Sequence, residues 1–266
     1  DGLSALVDKK TGRIYTSFNQ TVTSTGRISS TEPNLQNIPV KTEEGKHIRG
    51  VFTADGPGHI LLSGDYSQIE LRVLAHMSQD PGLIEAFVSG EDIHRRTASE
   101  VFGVAPEEVT TSLRDKAKAV NFGIIYGISD YGLAQNLGIS NQEAKEYIDA
   151  YFARYPGVRD YIRETIKSAK TLGYVTTLLN RRRYIPDINS RNYHLRSFAE
   201  RTAVNTPIQG SAADIIKIAM VKVYDNLRQN NLKAKILLQV HDELILDVPE
   251  EELIIVKGIL KQHMEN

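Results

Sequence analysis

Two apolar runs, far apart in the chain, each end on a carboxylate. Ile60, Leu61 and Leu62 lead into Asp65, after which the apolar spacing becomes helical, so Asp65 is placed where a strand ends and a helix begins. Residues 235–248 hold two further apolar runs on either side of His241-Asp242, the pattern of a tight hairpin with its carboxylates at or near the tip. Mostly helical patterns fill more than a hundred residues between these two places. That block reads as an insertion into an otherwise mixed domain, and the fold that closes around it is expected to bring Asp65 and Asp242 together as a metal-binding pair. Two ionised carboxylates about 4 Å apart repel by roughly 4 kcal/mol at an effective dielectric near 20. A divalent cation removes that cost and creates a two-metal phosphoryl-transfer site. Taken singly, each aspartate is more often a solvated turn residue than a ligand.

Composition narrows the chemistry. The 266 residues suffice for one large domain or two subdomains sharing a core. The 41% hydrophobic and 24% charged content is that of a globular chain and argues against disorder. No apolar run approaches membrane-spanning length, and no signal-peptide pattern opens the sequence. With no cysteine, a metal must be held by carboxylates, carbonyls or histidines, and carboxylates favour magnesium or manganese. The net charge of −1 gives no hint of nucleic acid, but its distribution does: residues 159–201 hold ten Lys or Arg against four Asp or Glu. For charge alone, a solvated helix surface is the better reading.

Taken in order, residues through Gln20 read as short strands and turns, with a turn at residues 8–12 between the apolar run 3–7 and Ile14-Tyr15. Residues 24–39 are polar and interrupted by Gly26, Pro33 and Pro39. They form either a plain surface loop or a loop whose Arg27, Asn34, Gln36 and Asn37 hydrogen-bond a ligand. Residues 60–65 read as a buried strand and 67–77 as a helix, with Ile69, Val73 and Met77 on one face. Ser140 and Glu143 form a capping box for a helix that ends near Tyr155-Pro156-Gly157. Ile208, Ala212, Ile215, Ile216, Ala219 and Val223 mark the apolar stripe of a later long helix.

The most specific signal is the period-four series Arg114, Lys118, Phe122 and Tyr126. Steps of four drift by about 40° on a helix, so all four lie in one stripe, two cations followed by two aromatics. Such a stripe can grip triphosphate oxygens at one end and stack on a base or sugar at the other. The plain alternative, two core aromatics with solvated cations, does not explain why one stripe carries both. His241 stands beside Asp242 without a second histidine at ligand spacing, which speaks against a metal role. His94 either touches phosphate or simply starts a helix. Asn205 and Gln209 lie one helical turn apart.

The motifs around residues 25–27, 65–72, 114–127, 206–210 and 239–243, in this order, resemble those of family A DNA polymerases, as found in the polymerase region of Bacillus-like bacterial members. The resemblance runs nearly end to end. It implies an α+β fold: an antiparallel-sheet palm (residues 1–72 and 205–266) with a large helical fingers insertion (73–204). By motif match it implies template-directed DNA synthesis, dNTP addition to a primer 3′-hydroxyl with pyrophosphate release, using two Mg²⁺ ions or Mn²⁺. Asp65 and Asp242 would be metal ligands, with the Tyr66 carbonyl assisting and Glu243 supporting catalysis. Gln68, Glu70, His94, Arg114, Lys118, Phe122 and Tyr126 would bind the dNTP, with Glu70 excluding a 2′-hydroxyl. Arg27, Arg201, Asn205, Gln209 and His241 would contact primer–template DNA. The thumb, any exonuclease domain and the last palm strand are expected in a longer polypeptide, which this chain would need as a partner. No membrane is expected, and the setting would be the bacterial cytoplasm. Two other classes fit these residues less well. A non-catalytic DNA-binding remnant does not need the intact metal and dNTP motifs, and a metal-dependent nuclease has no use for the Arg114 to Tyr126 stripe.

Overall fold

The structure, a computed structural model, describes residues 2–39 and 42–266. In chain order its strands are β1 (Ser17–Asn19), β2 (Ser29–Thr31), β3 (His59–Asp65), β4 (Tyr174–Thr176), β5 (Arg182–Tyr184), β6 (Lys235–Val240) and β7 (Glu243–Pro249). Its α-helices are α1 (Glu43–Gly50), α2 (Ile69–Ser78), α3 (Pro81–Val88), α4 (Ile93–Phe102), α5 (Thr111–Ile125), α6 (Asp130–Leu137), α7 (Asn141–Arg154), α8 (Pro156–Leu172), α9 (Tyr193–Gln229) and α10 (Leu253–Glu265). The class is α+β, with every paired strand antiparallel. The chain divides into two compact units, Asp1–Ser67 with Ala212–Asn266, and Gln68–Ser211. Among the described residues no helix is long and apolar enough to cross a membrane.

The first unit is built on a sheet of order β3-β7-β6. Leu244, Leu246 and Val248 of β7 are fully buried and pack with Ile216, Val223 and Leu227 of α9 and Val256 and Leu260 of α10. Ile60 and Leu62 join that core from β3. The close approach of α10 explains Gly64: an added Cβ would lie 2.8 Å from both Leu260 Cδ2 and Met264 Sδ. Leu61, Ser63 and Asp65 alternate onto the opposite, open face. The buried strand expected at 60–65 is thus an alternating one, because helices cover only one face of it. The apolar run at 3–7 is also not a strand. It contains a single 3₁₀ turn, Leu3–Leu6, and the turn at 8–12 follows, with the Asp8 carboxylate accepting from the N–H groups of Lys10 and Thr11.

The second unit is helical apart from the β4–β5 hairpin, which shares a small core with α8 and α9 through Ala169, Val175, Ile185, Ala199 and Ala203. Ser140 and Glu143 form the capping box that starts α7. Asp80, fully buried, is the joint of this unit. Its Oδ1 accepts from the N–H groups of Gly82 and Leu83 at 3.0 and 3.1 Å, capping α3. Its Oδ2 accepts from Gly157 N–H at 2.9 Å, at the start of α8. One carboxylate therefore satisfies the orphan donors of two helix starts that are distant in sequence. Asp80→Ala is expected to lower the unfolding free energy by about 2–4 kcal/mol, and Asp80→Asn by less because an acceptor oxygen remains. Urea unfolding midpoints at neutral pH measure both.

Candidate active site

In the first unit the hairpin closes as its spacing predicts. His241-Asp242 links β6 to β7 in two residues, and His241 takes the left-handed backbone (φ +53°) that such turns demand. Cross-strand register puts Asp65 opposite Glu243, and Tyr66 N–H donates to the Asp242 carbonyl at 3.1 Å. Asp65, Tyr66, Asp242 and Glu243 are thus gathered at one end of one sheet. Burial raises the Asp65 carboxyl above its usual range, and the charges of Asp242 and Glu243 push it further the same way. Glu243 turns along the strand to accept from the Ser63 hydroxyl. His241 is exposed in the turn, and Arg27 is half-buried.

Of the two readings of the 24–39 loop, Gln36 favours the plain one. Its Nε2 donates to the carbonyls of Gln239 at 3.0 Å and Ile28 at 3.2 Å, tying the 24–39 loop to β6. Asn34 likewise caps the Leu35–Asn37 turn by accepting from Gln36 N–H. Both side chains serve the protein rather than standing free for a ligand. Gln239 in turn donates to the His241 carbonyl at 3.1 Å, bracing the hairpin turn.

In the second unit the stripe runs along α5 and ends on its C-cap, Tyr126. Arg114 Nε donates to Asp92 Oδ2 at 2.8 Å, while Asp92 Oδ1 caps α4 by accepting from His94 and Arg95 N–H. Burial pushes the Asp92 carboxyl up, but the Arg114 hydrogen bond and the cap outweigh it and hold the group below its usual range. Lys118 is exposed. The Phe122 ring lies 5.9 Å from the His94 ring and 6.3 Å from the Tyr126 ring, nearly parallel to the latter at 19°. Tyr126 Oη donates to Glu70 Oε2 at 3.1 Å, and Glu70 is only 6% exposed. Gln68, half-buried, adopts a left-handed backbone (φ +58°), so α2 starts at Ile69 rather than at the expected residue 67. His94 is 2% exposed, and burial pulls its pKa down to about 4. Its ring is therefore neutral at pH 7.

Arg201, Asn205 and Gln209 recur every four residues on α9. Arg201 donates to the Ser197 hydroxyl at 2.8 Å. Its stem crosses Gly127, where a Cβ would meet Arg201 Cγ at 2.8 Å and where φ is +64°. Gln209 is half-buried, and Asn205 Nδ2 is buried with no protein acceptor. The sequence assigns nothing to Asn121 and Thr97; Asn121 contacts both His94 and Thr97. Their one signal was an amide among the apolar residues Ala117, Val120, Ile124 and Ile125 of α5.

Residues 1–266 match DNA polymerase family A over their whole length, and the chain belongs to that family. It is 59% identical over 265 residues to the DNA polymerase I of Caldicellulosiruptor bescii, covering 100% of this chain and 31% of that protein. It is 60% identical over 253 residues to that of Geobacillus stearothermophilus, covering 95% of this chain and 29% of the relative. With the Bacillus subtilis enzyme the identity is 55% over 266 residues, or 100% of this chain and 30% of the relative. The chain thus spans about a third of the length of these relatives. Among solved structures it resembles the POL domain of Pol1 from M. smegmatis in complex with DNA primer-template and dNTP. The TM-score is 0.95 and the identity 52%, over 99% of this chain and 46% of that one.

The raised Asp65 carboxyl has a consequence for stability. The folded chain holds the Asp65 proton more tightly than the unfolded chain does, so ionisation costs stability as pH rises through the carboxylate range. Asp65→Asn is expected to raise the unfolding temperature at pH 7 in the presence of chelator. The gain should vanish below the ordinary aspartate range, about pH 3. Thermal unfolding across pH checks the sign.

Proposed function

We propose that this chain carries the nucleotidyl-transfer chemistry of a bacterial DNA polymerase. The observation that supports it most is the joining of Asp65 at a strand end to the Asp242 turn, within a chain that belongs to family A. The first unit corresponds on this reading to the palm and the second to the fingers. The setting would be the bacterial cytoplasm, with the remainder of a longer polypeptide supplying parts of the DNA grip.

The donor set suits a hard divalent cation: the carboxylates of Asp65 and Asp242 with the Tyr66 carbonyl are all oxygen, and the burial and like charges that raise the Asp65 carboxyl call for a countercharge. Among the described residues no group of three or more His, Asp or Glu could hold a metal by itself, so further donors would come from substrate and water. Two Mg²⁺ ions, or Mn²⁺, would when bound favour the ionised 3′-oxygen and the charge of the leaving pyrophosphate. The reaction is attack of the primer 3′-hydroxyl oxygen on the dNTP α-phosphorus. A new P–O bond forms, the hydroxyl proton passes to solvent, the bond from the α-phosphorus to the bridging oxygen breaks, and pyrophosphate leaves. Glu243, held by Ser63, would support the aspartates from the neighbouring register position.

On the fingers, Arg114 and Lys118 would pair with triphosphate oxygens, and His94 would add a neutral donor. Phe122 and Tyr126 would stack on the base and sugar, with Gln68 nearby in sequence to Glu70. The Glu70–Tyr126 pair would sit under the sugar and exclude a 2′-hydroxyl by clash. Arg27, Arg201, Asn205, Gln209 and His241 would donate to primer–template DNA. Minor-groove acceptors are nearly alike for every base pair, so such donors check pair shape without reading sequence. The unpartnered Nδ2 of Asn205 supports that role.

Asp65→Ala or Asp242→Ala is expected to cut magnesium-dependent primer extension by about a thousandfold or more, with circular dichroism unchanged. Extension retained by either purified variant would refute the metal assignment. Phe122→Tyr addresses substrate choice: the family resemblance associates Phe at this position with rejection of dideoxynucleotides. The variant is expected to terminate readily with dideoxynucleotides where the parent does not, read as a termination ladder in the same extension assay.

A further inference from the structure

His94, Asn121 and Thr97 form a buried polar cluster of which the mechanism above uses only His94. Asn121 and Thr97 are 0% exposed and His94 2%. Asn121 Nδ2 lies 3.0 Å from His94 Nδ1. An amide nitrogen can only donate, so Nδ1 must accept, and the ring proton must sit on Nε2. The Thr97 hydroxyl lies 3.2 Å from both ends of the same amide, donating to Asn121 Oδ1 and accepting from Nδ2, so it ties Asn121 to α4 a second time. Thr97 and His94 come from successive turns of α4, whereas Asn121 comes from α5. We propose that Asn121 is a positioning residue that holds His94 as the Nε2–H tautomer, so that a neutral N–H is the group offered to the dNTP triphosphate. This rests on the dNTP-binding reading above.

A purely structural tie between two helices would not need a histidine. Apolar residues of similar volume satisfy such a position without leaving polar groups to match. Charge explains why this ring is kept neutral. Arg114 and Lys118 both act on it to lower its pKa, and Asp92 and Asp115 act to raise it, but burial dominates and sets it near 4. A cationic ring would repel Arg114 and Lys118 whenever no triphosphate is present. A neutral ring with its proton on Nδ1 would turn a lone pair outward and repel phosphate oxygens. The Nε2–H tautomer avoids both, and it is not a proton source, since a group with so low a pKa does not hold an extra proton at neutral pH. The neighbouring Phe122 ring, 5.9 Å away, packs beside it within the proposed dNTP face.

The test is histidine ¹⁵N NMR on the whole chain, with the His94 signal assigned by its loss in His94→Gln. In the parent, Nδ1 should show the shift of an unprotonated nitrogen and Nε2 that of a protonated one. Neither should change until the pH approaches about 4. In Asn121→Asp the carboxylate accepts from Nδ1–H and raises the ring pKa, so protonated Nδ1 should appear at neutral pH. Thr97→Val, nearly isosteric, should free the amide and mix the two tautomers even if Asn121→Asp fails to fold. In extension assays Asn121→Asp should raise KM for dNTP by about tenfold while kcat changes little. A parent ring protonated on Nδ1, an ordinary histidine titration, or tautomers unmoved by either variant overturns the proposal. If the parent shows the expected tautomer yet extends no primer when joined to the remainder of its polypeptide, the polymerase reading fails instead, and the two failures stay distinct.

Discussion

A single backbone hydrogen bond, Tyr66 N–H to the Asp242 carbonyl, sets what the first unit can do. It extends the β3–β7 ladder one step past Asp65 and into the hairpin turn, fixing where Asp65 stands relative to Asp242. A one-residue slip of this register would turn Asp65 and Ser63 to the core face and Gly64 to the open one. Gly64 opposes that slip, since α10 leaves no room for a side chain there. Burial first, and then the charges of Asp242 and Glu243, raise the Asp65 carboxyl, so the sheet holds this group where its ionised form is disfavoured. Packing on the other face, through Leu244, Leu246 and Val248, supplies the energy that holds the arrangement.

The second unit solves a related problem with Asp92. One oxygen caps α4, which carries His94, and the other pairs with Arg114 of α5. The carboxylate therefore joins the helix that carries the histidine to the helix that carries the stripe, and the Thr97–Asn121 contact joins them again at depth. Two polar links of different chemistry fix both the spacing and the rotation of α4 against α5. The Ala98, Val109 and Ala117 cluster adds contact area but no such direction.

Much of this was legible in the sequence, for identifiable reasons. Asp65 and Asp242 stood out because each ends an apolar run, and the stripe on α5 because period four survives any helix that forms. What escaped depended on partners far away in the chain. Gln36 reads equally as a loop residue or a ligand donor, and its bond to the Gln239 carbonyl appears only once the 24–39 loop lies against β6. The alternating burial of β3 follows from helices covering only one face of its sheet, which its own residues do not encode. The left-handed Gln68, which delays α2 to Ile69, is a turn that a glutamine does not announce. Asn121 gave the faintest sign, an amide among apolar neighbours, and its meaning needed both helices.

The Glu70–Tyr126 pair shows how a weak contact can serve a strict choice. A carboxylate at 6% exposure must have a hydrogen-bond partner, and the Tyr126 hydroxyl provides one across α2 and the end of α5. Tyr126 is itself 43% exposed and ends the stripe, so the bond anchors a half-open aromatic against a fixed wall. On the proposed reading that wall lies beneath the sugar. Discrimination by clash depends on stiffness, because a wall that yields by a few tenths of an ångström admits the extra hydroxyl. The stiffness here comes from burial of Glu70 beside Ile69, Leu71, Val73 and Leu74, themselves core residues of α2. Selection against a single oxygen atom would thus be set by the packing of a helix that need not touch it.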